Sequence, residues 1–238
     1  MKKILLSLVV LLAVTGSYAQ KTISDPNAQV REARGFTAIK LSSAFDVYIS
    51  QGDEALAVSA SDSKYLENIK TEVSGGTLRI WFESGNGIKG WNTGKMKLKA
   101  YISFKDINKL DISGACDVYI EGVIKLQDLK LVLSGASDLK GKLDVAKLEV
   151  DMSGASDMGV SGTVGQLDIE SSGASSFKGF DLITEFCTAK ASGASDIKIT
   201  VNKELNVNAS GASDIDYKGT GVIRDLKTSG ASSVQRKS

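Results

Sequence analysis

Histidine is absent from all 238 residues. The chain therefore lacks the commonest general base and metal ligand, and composition excludes Ser-His-Asp, Cys-His and His-metal sites. Net charge is nearly absent too: 29 basic against 28 acidic residues leave no field to draw nucleic acid or an acidic surface. No basic patch is interleaved with aromatics, so nucleic acid is not an expected partner. Proline occurs once, at Pro26, within an aperiodic stretch from Lys21 to Arg34 that reads as a flexible leader. Cysteine occurs twice. Cys116 and Cys187 fall nearly four repeats apart, which is on the order of 15–20 Å in a stack of strands, whereas a disulfide needs Cα atoms within about 7 Å. Two free, largely buried thiols are predicted. No apolar run is long enough to cross a bilayer comfortably: the longest, Ile4 to Val14, falls well short of a spanning helix.

That apolar run has another meaning. Lys2 and Lys3 precede it, and Ser17-Tyr18-Ala19 offers a small-residue cleavage site. Residues 1–19 read as a signal peptide, with Gln20 as the mature N-terminus and no cysteine nearby for lipidation. Residues 20–34 are the leader, and residues 35–238 one domain. The expected location is the periplasm, the outer surface or the medium, with no transmembrane segment in the mature chain.

What is abundant is one phrase. SGA, usually SGASD, begins at Ser113, Ser134, Ser153, Ser172, Ser192, Ser210 and Ser229, with gaps of 21, 19, 19, 20, 18 and 19 residues. A degenerate copy, SSAFDVYI from Ser42, aligns with SGACDVYI from Ser113. A fixed period of this size marks a repeat architecture. Three residues before each Ser stand Leu131, Val150, Ile169, Ala189, Val207 and Leu226; five residues after stand Val118, Leu139, Met158, Phe177, Ile197, Ile215 and Val234. Polar residues alternate with them, the period-2 pattern of half-buried strands. Each repeat is strand, tight corner, strand, turn. The glycine supplies a positive φ or a close backbone approach, and the alanine is expected to fill the inside of the corner. One such unit cannot bury its own apolar side, so the copies must stack. The predicted fold is all-β, a parallel β-helix with coils of about 19 residues marked by SGASD corners.

The opening is less regular. Asp62 to Ile69 is the one plausible helical turn, and Thr77 to Phe82 alternates, with Trp81 opposite Leu78, Ile80 and Phe82. Ser84 to Lys95 is Gly-rich around Trp91 and reads as an exposed hairpin tip. At the other end the last coil stops within ten residues of its SGA, with no dedicated cap in view.

Chemistry has few places to reside. Asp117, Asp138, Asp157, Asp196 and Asp214 form a column broken by Ser176 and Ser233. Like charges one strand apart repel by roughly 1 kcal/mol in water, so something must offset them. The simplest offset is backbone N–H groups of each corner, helped by Lys140, Lys178 and Lys198 two residues on. Calcium along the column is a weaker reading, because the nonapeptide period and paired glycines of calcium-binding β-rolls are missing. Acid–base work on a polysaccharide is weaker still, since every regular copy carries the same carboxylate where an active site needs differently tuned ones. No catalytic residue, metal site or cofactor is assigned. Trp91 is the second binding candidate, able to stack on a sugar or anchor a partner, and the ladder of outward polar residues is the third.

The export signal, a first corner followed by DVYI, a TLRIWF strand, KLKAYISF and the train of LxLSGASDxxxxG repeats together resemble the head-GIN domain family, the auto-transporter adhesins of Gram-negative bacteria. The likeness runs from about Gly35 to Ser238. It implies a right-handed β-helix, exported, and it carries no catalytic residues. The chain departs from the family label in showing neither an autotransporter barrel nor a sorting domain. The leading expectation is a non-enzymatic adhesin or envelope-interaction module that contacts glycan or a surface protein. A carbohydrate-active enzyme on the same scaffold, and a structural protein that assembles end to end with further copies, are the alternatives.

Overall fold

The computed structural model describes residues 25–84 and 96–238. The proposed signal peptide and the Trp91 hairpin tip lie outside the described residues. The rest is a parallel β-solenoid, as the alternation predicts.

The body is built from five long strands, each turning one bend of the coil. In chain order these are β9 (Asp117–Leu133), β10 (Asp138–Met152), β11 (Asp157–Ser171), β12 (Ser176–Ala191) and β13 (Asp196–Ala209). Each pairs in parallel with the next, and the SGA corners join them. Two shorter coils follow. β14 (Asp214–Lys218) and β15 (Val222–Thr228) both stack on β13, and β16 (Ser233–Arg236) stacks on β14. The interior rows are the apolar columns of the sequence: Leu131, Val150, Ile169, Ala189 and Val207 lie at 0–3% exposure. Size is compensated across the core. Where the row after the corner enlarges to Phe177, the row before it shrinks from Leu133 and Met152 to Ser171, Ala191 and Ala209, all buried.

The opening third is wound out of order. β2 (Ala38–Leu41) and β3 (Asp46–Gln51) form the first coil around the degenerate corner. The chain then climbs instead of descending. β4 (Ala55–Ala60), a 3-10 helix (Ser63–Asn68) capped by Asp62, and β5 (Ile69–Ser74) form an antiparallel layer. β6 (Thr77–Phe82) and β7 (Leu98–Phe104) stack in parallel on β2 and β3 beneath that layer. Only then does the chain return past the first coil to β8 (Lys109–Ile112), which pairs with the opposite edge of β2. The helical turn and the face of Trp81, which is half-buried while Leu78, Ile80 and Phe82 are buried, match the sequence reading.

The leader differs from expectation. Gln29–Arg31 form β1, antiparallel to β4, and Ala33 is buried. Asp25 accepts a hydrogen bond from the Tyr101 hydroxyl at 2.9 Å. Three residues are too few to show a period, so this edge strand carried no sequence signal.

The corner also corrects one assignment. The alanines of SGA are exposed, and the buried position is the residue after them: Cys116, Ser137, Ser156, Ser175, Ser195 and Ser213, at 0–1% exposure. Each of these serines donates its hydroxyl to the carbonyl oxygen three residues back, as from Ser156 to Ser153 and from Ser195 to Ser192, both at 2.9 Å. A buried hydroxyl needs such a partner and a methyl does not, which is why the polar residue can turn inward here. The glycines do what was expected of them twice over. From Gly114 to Gly230 the seven hold φ between +73° and +90°. A Cβ on any of them would lie 2.2–2.6 Å from the carbonyl oxygen of the residue stacked above. That carbonyl accepts from the neighbouring alanine N–H at 2.7–2.8 Å, coil after coil.

Candidate functional site

Parallel pairing in register sets the outward rows. Asp46 opposes Asp117, Asp117 opposes Asp138, and Asp138 opposes Asp157; Ser176, Asp196, Asp214 and Ser233 continue the same row. The structure thus brings Asp117, Asp138, Asp157, Asp196 and Asp214 into one column and adds Asp46 at its head. Of the expected offset, the lysine half is present at Lys140 and Lys178, while the backbone half is spent elsewhere. The corner N–H groups are given to carbonyl oxygens of the preceding coil, as from Asp138 to Cys116 at 2.9 Å. Side chains balance the carboxylates instead: Lys140 lies 3.8 Å from Asp138, Lys178 lies 3.4 Å from Asp157, and the Ser233 hydroxyl donates to Asp214. The Asp117 carboxyl is held above the usual range. Burial raises it first, then Asp138 and Asp46, with Lys140 partly opposing. Among the described residues no group of three or more acidic or cysteine side chains is placed to hold a metal ion.

Two residues along, a second row stands beside the first. Tyr101, Tyr48 and Tyr119 stack with ring centroids 5.3 and 5.5 Å apart. Lys140 succeeds Tyr119 on the next rung. The rings cover one another's faces, so this ladder stiffens the upper coils and offers its edges outward. The repeated DVYI phrase held the signal for two of its three members.

Cys116 and Cys187 are both free and buried. Burial pushes the Cys116 thiol up to about 11 and raises the Cys187 thiol as well, so neither is a nucleophile near neutral pH.

The feature that sequence reasoning missed lies at the second bend of the coils, across from the SGA corners. A cleft of about 620 Å³ opens there. Its upper end is the segment in which the chain descends past the first coil. The Gln51 side chain pins that end, donating to the carbonyls of Lys105 at 3.2 Å and Lys125 at 2.9 Å and accepting from the Lys125 N–H at 2.8 Å. Lys125, Asp144 and Thr163 stand on consecutive rungs, and Thr163 donates to Asp144 at 2.8 Å. Ala146 and Gly165 leave the floor open. Ile183 and Phe186, 48% and 42% exposed, stand on the next rung. The sequence signal was indirect: the uneven gaps are taken up by register shifts at this bend, such as that between Lys140 and Lys142.

Comparison with known proteins agrees with this architecture. None of the curated proteins matches the chain. Among solved structures, a putative adhesin from Bacteroides fragilis NCTC 9343 superposes with a TM-score of 0.80 at 20% identity, covering 88% of this chain and 96% of that one. A putative adhesin from Parabacteroides merdae ATCC 43184 gives 0.63 at 16% identity, with 89% and 95% covered. A protein described as a putative lipid binding protein, from Parabacteroides distasonis ATCC 8503, gives 0.60 at 22% identity, with 90% and 98% covered. At these identities the likeness concerns the fold. The family described as "Putative auto-transporter adhesin, head GIN domain" matches residues 35–221, and the chain belongs to that family.

Proposed function

We propose that this protein is an exported, non-enzymatic adhesion or envelope-interaction module whose flank recognises a glycan or a surface protein. The observation that carries the reading is the rigidity of that flank. Coils pair in parallel through strands and corners alike, so outward side chains stand at fixed spacing on a stiff rod, the arrangement by which solenoids present recognition surfaces. Family membership supports the adhesin role. The missing histidine and the uniformity of the Asp column argue against catalysis. In this reading residues 1–19 are the export signal, residues 20–34 lead into the fold, and residues 35–238 form the recognition domain.

The test is a binding screen of residues 20–238 against glycans, envelope polysaccharides and surface-protein fractions, with calcium and with chelator. Binding above background is expected in both buffers. Binding that disappears in Trp91→Ala would assign the hairpin, and binding only with calcium would assign the Asp column. No binding to any fraction would remove the proposal. New reducing ends or unsaturated products would replace it with the enzymatic reading.

A second reading rests on the last coil. Leu226 belongs to an interior row yet is 50% exposed, and Val222 beside it is 52% exposed. A strand edge of this kind can pair with another copy. Sedimentation as a strict monomer at high concentration would end that reading.

A further inference from the structure

We propose that the cleft at the second bend is a binding site for a neutral oligosaccharide, an inference that rests on the recognition reading above and gives it a location and a ligand class. Four features converge on this class.

The first is charge. Lys105 and Lys125 line the cleft together with Asp106 and Asp144, so the lining has no net charge and favours neither a polyanion nor a polycation. Within it, Gln127 and Thr163 add neutral donors and acceptors, the inventory that matches hydroxyl groups.

The second is the state of the backbone. Beside the floor, Asp144 is paired in register on both sides, with Lys125 above and with Thr163 below. An extended peptide that binds by adding a strand needs a free edge; at this bend the upper side of Lys125, which no strand pairs, already has its N–H and carbonyl taken by the Gln51 side chain. Side chains must therefore make the contacts.

The third is shape. The cleft volume of about 620 Å³ lies within the usual range for small-ligand sites, ~300–1,000 Å³. Ala146 and Gly165 place no more than a methyl group into it. A Cβ on Gly165 would come within 2.8 Å of the Ala146 carbonyl oxygen, so the floor there is already at closest approach.

The fourth lies one rung below the lining. Ile183 and Phe186 are two of the few large apolar side chains exposed among the described residues, and register sets them directly after Thr163 and Gln166. Apolar surface next to hydroxyl-matching groups suits a sugar ring, which has C–H faces and a hydroxyl rim. The pinned Gln51 end fixes the opposite limit before any ligand arrives, which lowers the ordering cost of binding.

The experiment uses the intact mature chain, residues 20–238, and hexasaccharides of mannose, glucose, xylose and N-acetylglucosamine, with oligogalacturonate as the anionic comparison. Titration calorimetry reads affinity, and amide chemical shifts read the site. The expected result is binding of at least one neutral hexasaccharide, with shifts centred on Lys125, Asp144 and Thr163. Ala146→Trp, which fills the open floor from an exposed position, is expected to weaken that binding at least tenfold at an unchanged melting temperature. Should that variant not fold, Asp144→Ala together with the shift map of the unaltered protein decides the matter. Neutral-sugar binding with shifts elsewhere, or unaffected by both variants, would overturn the cleft and leave the recognition reading standing. Preference for the anionic oligomer would overturn the ligand class. Binding of surface protein with no sugar bound would overturn this inference alone, and no binding to anything would overturn both.

Discussion

Each coil turns twice, and the two bends are built on opposite plans. The SGA corner is identical from coil to coil: a positive-φ glycine, an inward serine, and carbonyls stacked against N–H groups. The second bend repeats nothing. Register shifts fall between the corners in three of the body pairings, between Lys140 and Lys142, Gly159 and Gly162, Gly179 and Ile183, and Thr184 and Phe186. The lesson is a division of labour within one repeat. One bend fixes the stack through backbone chemistry, and the other, freed of that duty, varies in length and side chain and holds the cleft.

Glycine substitutions break the comparison most sharply. Gly173 at a corner and Gly122 at a second bend have φ of +75° and +79°, but a Cβ on Gly173 meets the Gly154 carbonyl oxygen at 2.5 Å while one on Gly122 meets nothing within 4 Å. Gly122→Ala is expected to lose about 1–2 kcal/mol, the left-handed backbone penalty alone. Gly173→Ala adds the collision and should lose several kcal/mol, leaving little folded protein in urea titrations. Equal losses would show that the corners are not special.

Insertions are the next test. Ser-Gly placed after Asn202, at a second bend, should cost less than about 1 kcal/mol, the order expected for lengthening a loop. The same pair placed after Ala194 interrupts the corner ladder and should prevent cooperative unfolding altogether, as read by circular dichroism melts.

A smaller effect is expected at Ser171. Its hydroxyl is buried with no hydrogen-bond partner, in an interior row otherwise filled by Met152 and Ala191. Ser171→Ala removes an unsatisfied polar atom and should stabilise by about 1 kcal/mol, visible as a rise in melting temperature. The smallest effect belongs to the Asp column. Because the Asp117 carboxyl is held high in the folded chain, its protonated form stabilises the fold below the unfolded value of about 3.9, and that contribution is lost as pH rises through the folded value. Asp117→Asn should therefore raise the melting temperature at pH 7 by about 1–2 °C and leave it unchanged at pH 3.

The corners and interior columns were legible in the sequence because they are repetitive: period two along a strand and a fixed phrase between strands report directly on burial and backbone shape. The Asp column was legible for the same reason. Which side of the corner turns inward was not, since alanine and serine are both small and only a donor's reach to the carbonyl three residues back separates them. The winding order of the first third was hidden because β6 and β7 pair with β2 and β3 across long separations. The cleft was hidden because it arises where the repeat fails, at Ala146, Gly165 and the descending segment by Gln51, and no phrase marks a place that differs in every coil.

The out-of-order winding has a consequence for how the chain folds as it emerges N-terminus first. The first coil has both edges claimed, one by β6 and β7 and the other by β8 and β9. The climbing segment comes off the ribosome or translocon earlier, so the upper edge closes under its antiparallel lid before the lower edge finds its partner. What remains is a head whose lower side alone offers a parallel edge to the coils that follow. Every later coil then adds to a template already in place, closing a loop of only about twenty residues, a short contact by the standard of β proteins. Growth in one direction from this head lets a long parallel stack assemble without exposing two parallel edges at once, the state in which nascent β-sheets aggregate.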